Sequence, residues 1–355
     1  MIDAEKHKMN NKKFTLRRFG KLNGVSTWTI PVVLLVVLFI FSFVMGRYPI
    51  SPLNVVKILG SHILPVFHFN SGILDTIVMQ IRLPRILAAM IVGASLALSG
   101  VSFQGLFRNP LVSPDILGVS SGAGFGAALA ILLSGNQLAI QVSAFCFALL
   151  AVGISYSIGK MVKGNPTLSL ILAGMAIASL FGALLSLVKY VADPVNQLPA
   201  ITYWLMGSLA SVGQKGLLYA AVPMLIGITV LILIRWRFNV LAMGEEEAKA
   251  LGVDTGRLRI IIVVCCTMIT ASAVCISGTI GWVGLVIPHI GRALVGPDHK
   301  KLLPVCLLIG AIFLLLIDDI ARVVASVEIP IGILTAIVGI PFFILLLRKG
   351  QRGWA

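Results

Sequence analysis

Residues 84–107 read PRILAAMIVGASLALSGVSFQGLF. From Ile86 to Phe107 there is no ionisable side chain, and alanine, glycine and serine are interleaved with large aliphatic residues. About 20 apolar residues suffice to carry a helix across roughly 30 Å of hydrocarbon. Small residues on such a helix let its neighbours approach closely, and that packing replaces the hydrophobic effect inside lipid. The stretch therefore reads as a membrane span packed among other spans, entered through Arg82-Leu83-Pro84-Arg85.

The rest of the chain agrees with this reading. Of 355 residues, 58% are hydrophobic and 12% charged, and the mean hydropathy is +1.02. An ordinary soluble domain carries about 25% charged residues, so too little polar surface exists here to coat a soluble body. The hydropathy pattern predicts an all-α polytopic membrane protein with about ten spans. These lie near 28–45, 84–107, 114–134, 138–158, 167–189, 216–234, 259–276, 280–295, 302–321 and 330–347. The eighth is short and interrupted by Gly281, Gly284 and Pro288. Domain limits follow: a basic tail over 1–27, one membrane domain over 28–347 with a polar loop near 235–259, and a tail over 348–355.

The net charge of +15 reports orientation. With the N-terminus in the cytoplasm, only Arg47, Lys57, Arg82, Arg85, Lys189, Lys215 and Arg322 fall outside. All other Lys and Arg fall inside, as the positive-inside rule asks. Both termini are then expected in the cytoplasm. No basic face with interleaved aromatics exists for nucleic acid. The first apolar run has no small-residue cleavage signal and reads as an uncleaved span.

Ser99-Gly100 before Gly105-Leu106 is echoed by Ser277-Gly278 before Gly284-Leu285. The two pairs sit on spans of opposite direction, the pattern of an inverted repeat. Gly93, Gly100, Gly118, Gly122, Gly284 and Pro288 read either as close-packing positions or as the lining of a pathway. In the 235–259 loop, Glu245-Glu246-Glu247-Ala248-Lys249-Ala250-Leu251-Gly252 reads as a short helix, acidic at its start and closed by glycine. It suits a groove on a soluble partner, or it is a solvated connection. At the outer face Arg82, Arg85 and Arg322 defy the orientation rule. They read as headgroup contacts or as a cationic platform for an acidic partner, with Asp318, Asp319 and Glu328 near enough to pair with Arg322.

No nucleotide-binding loop, metal-ligand cluster or catalytic constellation is present, and Cys146, Cys265, Cys266, Cys275 and Cys306 lack C-x-x-C spacing. No cofactor or metal is expected, and the chain is not read as an enzyme. The spans hold few of the intramembrane acids or histidines that ion-coupled carriers use, which disfavours a secondary transporter.

The chain resembles the FecCD-type permeases. The resemblance runs from Arg82-Leu83-Pro84-Arg85 through Asn109-Pro110-Leu111, Leu117-Gly118, Gly122-Ala123-Gly124 and Trp204-Leu205-Met206-Gly207-Ser208. It continues through Pro288-His289, Ala321-Arg322, Glu328-Ile329-Pro330-Ile331-Gly332 and Gly339-Ile340-Pro341. It implies ten helices, with spans 2–5 and 7–10 related as inverted repeats, in the cytoplasmic membrane of a bacterium. It implies a second permease subunit, homo- or heteromeric, two cytoplasmic ATPase subunits that hydrolyse the ATP, and an extracytoplasmic binding protein. Arg82, Arg85 and Arg322 would then meet that binding protein. Glu246, Glu247, Ala248, Leu251 and Gly252 would form the helix that couples to the ATPase. The expected cargo is a ferric siderophore or similar iron chelate; haem, cobalamin and molybdate are the alternatives.

Overall fold

The computed structural model describes residues 26–46, 48–63, 72–162 and 166–350. Most of the basic tail and residues 351–355 lie outside the described residues. All regular structure among those described is helical. Each expected span coincides with a helix: α1 (Ser26–Val44), α3 (Ile73–Phe107), α4 (Val119–Leu133), α5 (Gln137–Met161), α6 (Pro166–Val191), α8 (Gln214–Leu233), α11 (Thr255–Ser277), α12 (Val283–Val295), α13 (His299–Val323) and α14 (Ile331–Gly350). Six of these, α3, α5, α6, α8, α11 and α13, are long and apolar enough to cross a membrane by themselves.

Among the described residues, four further helices lie between the spans: α2 (Pro52–Ile63), α7 (Gln197–Met206), α9 (Arg235–Met243) and α10 (Glu245–Ala250). The second span begins earlier than hydropathy suggests. It enters through a π-helical stretch, Thr76–Arg82, that runs straight into Leu83–Phe107.

Helices α3, α11 and α13 form the centre and are largely buried, whereas α5, α6 and α8 present most of their surface outward. Exposed Leu172, Leu180, Leu187, Leu218, Val222 and Ile226 suit a hydrocarbon solvent. The packing repeats itself. Helix α3 packs on α13 and α12, while α11 packs on α5 and α4. Helices α4, α5 and α6 pack on one another, as do α12, α13 and α14. Exchanging spans 2–5 for 7–10 therefore maps each contact onto another that is present, which is the pattern of an inverted repeat.

The third and eighth spans share a defect. Helix α4 has 15 residues and follows a 3-10 turn, Pro114–Leu117. Helix α12 has 13 and follows the non-helical Gly278–Trp282, where Trp282 takes φ +70°. Irregular backbone at membrane depth must find partners inside the protein. Here Ser208 N–H donates to the Ser277 carbonyl (2.7 Å), Ile331 N–H to the Gly207 carbonyl (2.9 Å), and Ser155 Oγ to the Leu117 carbonyl (3.1 Å).

Candidate docking and coupling surfaces

Two polar clusters stand apart in the fold, one where α3 meets the last turn of α13 and the other around α10 and the start of α11. In the first, Arg82 and Arg85 lie in α3 where its π-helical stretch ends, and Arg322 lies on the last turn of α13. All three are buried, at 5–7% exposure, so none stands as a free cation. Arg85 Nε donates to both oxygens of Asp318 (3.0 and 3.2 Å), and its Nη1 donates to Glu328 Oε1 (3.0 Å). Arg322 pairs with Asp318 through Nε (3.2 Å) and with Asp319 through Nη2. Ser42 Oγ donates to the second oxygen of Asp319 (2.6 Å).

Arg82 has no carboxylate partner among the described residues. It donates to the carbonyls of Phe43 and Tyr48, and its guanidinium lies against Gly46, where a Cβ would sit 2.8 Å from Nη2. Two guanidiniums thus share three carboxylates, and Arg82 beside them brings the count to three of each sign. The cluster ties the end of α1 to α3 and α13, and it is balanced in charge. The acids Asp318, Asp319 and Glu328, placed near Arg322 by sequence, divide between Arg322 and Arg85. Buried charges are retained where they are paired or hydrogen-bonded; Arg85 and Arg322 achieve this with carboxylates and Arg82 with two carbonyls.

In the second, α9 leads through Gly244 (φ +139°) into α10. The Glu247 carboxylate folds back over Gly244, filling the space where a Cβ would stand. Val253 N–H donates to the Ala248 carbonyl (3.0 Å) and Gly252 N–H to the Lys249 carbonyl (2.9 Å), with Gly252 at φ +79°. This is a Schellman end, which needs the left-handed conformation that glycine supplies. Ala248 is buried; Glu246, Glu247 and Leu251 are exposed, Leu251 at 61%. Glu245 turns the other way, toward Arg259 (3.3 Å), Thr255 (3.2 Å) and Lys249 (3.6 Å). Partial burial pushes its carboxyl up, but Arg259, Thr255 and Lys249 outweigh that and hold it below the usual carboxylate range.

The small residues are buried helix contacts. A Cβ on Gly93 would lie 2.2 Å from the Gly310 carbonyl oxygen, and one on Gly100 only 1.9 Å from that of Gly284. Gly122 packs on Phe147 and Ala151, Gly118 (φ +85°) turns the chain into α4 beside Ala178, and Pro288 is buried within α12. Sequence reasoning passed over a cleft of about 550 Å³ where the two broken spans converge, lined by Asp115, Ser120, Met206, Thr279, Trp282 and Gly332. It also missed the contacts of Asn239 with Asp298 and His299. No spacing signal links positions so far apart. Among the described residues no three His, Cys, Asp or Glu side chains could hold a metal.

Known proteins share this plan. The chain is 42% identical over 320 residues to the molybdate import system permease protein MolB of Haemophilus influenzae, covering 90% of this chain and 94% of that protein. It is 42% identical over 276 residues to a probable iron chelatin transport system permease protein of Helicobacter pylori, covering 78% and 83%. A solved structure, the inward-facing conformation of a putative metal-chelate type ABC transporter, superposes with a TM-score of 0.81. It is 41% identical over 90% of this chain and 98% of that one. The model of the FecCD transport family matches residues 34–349. With nearly its whole length matched, and the fold reproduced at that similarity, this chain belongs to the FecCD transport family.

Proposed function

We propose that the chain is one permease subunit of a binding-protein-dependent importer that moves a metal chelate inward by alternating access. The observation that carries this is the placement of two distinct polar surfaces: one joins α3 to the last turn of α13, and the other, α10, follows directly on α9, which packs against the opposite ends of both helices. Two ATPase subunits, engaging the outward side chains of α10, supply the energy, and this chain carries no ATPase site of its own. A second permease subunit, identical or similar, completes the pathway, which we place along the cleft between Asp115 and Trp282. Both termini are cytoplasmic, and the outer cluster faces the binding protein.

The first reading of the cargo is a ferric siderophore, in line with the iron chelatin relative. Molybdate is the second, favoured by a relative matched along 90% of this chain. Uptake into vesicles from a panel of ferric siderophores, molybdate, haem and cobalamin discriminates them. Accumulation of one ferric chelate supports the first reading; accumulation of molybdate alone selects the second.

The balanced outer cluster sharpens the docking proposal. Glu328 is its most accessible acid, with a quarter of its side chain exposed, and removing its charge leaves the arginines in excess by one. Glu328→Gln is therefore expected to speed docking of an acidic binding protein several-fold at low salt. The gain should vanish near 1 M salt, where the screening length falls to about 3 Å. Surface plasmon resonance across ionic strengths measures this; an unchanged rate at low salt contradicts docking at these arginines.

A further inference from the structure

Helix α9 delivers the chain into α10, and one side chain on it bridges to the start of α13. Asn239 Nδ2 donates to Asp298 Oδ1 (2.6 Å). Its Oδ1 accepts from the His299 backbone N–H (2.9 Å) and lies 3.0 Å from His299 Nδ1. Asp298 Oδ1 also caps α13 by accepting from Lys300 N–H (3.0 Å). Around this bridge, the buried Phe238 ring stacks on the His299 ring at 5.6 Å and 16°. Both rings press on Gly105 near the inner end of α3, where a Cβ would meet His299 Nε2 at 2.8 Å and Phe238 Cδ1 at 3.0 Å.

An amide suits this position because it donates and accepts at once. A carboxylate there would face Asp298 across 2.6 Å with no proton between them, and an alkyl group would leave the cap without its second donor. Beyond the bridge, α13 is a continuous helix of 25 residues. At 1.5 Å per residue it spans about 37 Å, and its far end holds Asp318, Asp319 and Arg322.

We propose that Asn239 is a positioning residue that locks α9 to α13, so that displacement of α10 is passed along α13 to the outer arginine cluster. The proposal rests on the reading of α10 as the ATPase contact. Packed helices that shift as rigid bodies transmit motion only where they are joined. Asn239 is such a joint: it lies five residues before the hinge-like Gly244 and bonds two consecutive residues at the root of α13.

The test compares the assembled complex of permease, ATPase and binding protein in nanodiscs, reading basal and binding-protein-stimulated ATP hydrolysis together with cargo moved per ATP. Asn239→Asp and Asn239→Leu are expected to assemble and to keep basal hydrolysis, but to lose stimulation and transport per ATP by about tenfold. Exchanging the pair, Asn239→Asp with Asp298→Asn, restores one donor and one acceptor and keeps a good helix cap, and should recover most of the coupling. Wild-type coupling in Asn239→Asp overturns the proposal. So does a loss confined to thermal stability, or a coupling defect that the exchange leaves untouched. If wild-type hydrolysis and transport are themselves unlinked, it is the ATPase reading of α10 that fails.

Discussion

Replacing Asp318 by Asn is expected to destabilise the protein by about 3–5 kcal/mol, the usual loss when one member of a buried ion pair is removed. Asp318 is fully buried and serves two guanidiniums at once, Arg85 and Arg322. Neutralising it leaves Arg85 with the partly exposed Glu328 alone and Arg322 with Asp319 alone, both still out of water. Because the same arginines sit beside α1 and α3, the loss spreads to three helices. Thermal unfolding in detergent should show a fall of at least several degrees. Glu328→Gln, on the rim of the same cluster, should melt close to wild type. Equal melting of Asp318→Asn and wild type would mean that the cluster does not hold these helices together.

A larger effect is expected from Gly100→Leu. The Cβ alone would lie 1.9 Å from the Gly284 carbonyl oxygen and 2.6 Å from its Cα. Both are backbone atoms of the short eighth span, so no flexible side chain can move aside. Overpacking a tight site destabilises by about 1–3 kcal/mol when neighbours can adjust, and by more when they cannot. Here α3 and α12 must part, pulling the Gln104 amide from the Gly284 carbonyl it contacts at 3.4 Å. Folded, monodisperse protein should be lost, and Gly100→Ala should show a milder form of the same defect. Gly153→Ala supplies the control: it lies within α5 with nothing within 4 Å of its added Cβ, so it should be neutral or slightly stabilising. If Gly100→Leu folds and transports like wild type, close contact of α3 with α12 is not a requirement of the fold.

Much of this architecture is legible in sequence because the bilayer imposes it. Every apolar run of sufficient length became a helix, and one of the two defects was visible: Gly281, Gly284 and Pro288 foretold the short α12, whereas nothing in the 114–134 run foretold the turn before α4. Helices α7 and α9 were not anticipated, since ten or nine residues of mixed polarity carry no span signal. The helix at Glu245–Ala250 was legible because acids at its start and Gly252 at its end are local chemistry. The outer arginines were found by their violation of the orientation rule. Their burial was not legible, because it depends on Phe43, Tyr48 and Asp318 arriving from distant parts of the chain. The same limit hid Asn239. Its partners lie some 60 positions away, and only the folded helices bring them together.

The central claim is that this permease subunit moves its cargo only when a separate ATPase drives it through α10. The most direct measurement is cargo uptake into proteoliposomes containing the permease, with the ATPase subunits, binding protein and ATP added or withheld one at a time. Uptake is predicted only when all are present, and a hydrolysis-deficient ATPase should abolish it. Sustained uptake by the permease without its ATPase, or driven by an ion gradient alone, would contradict the account.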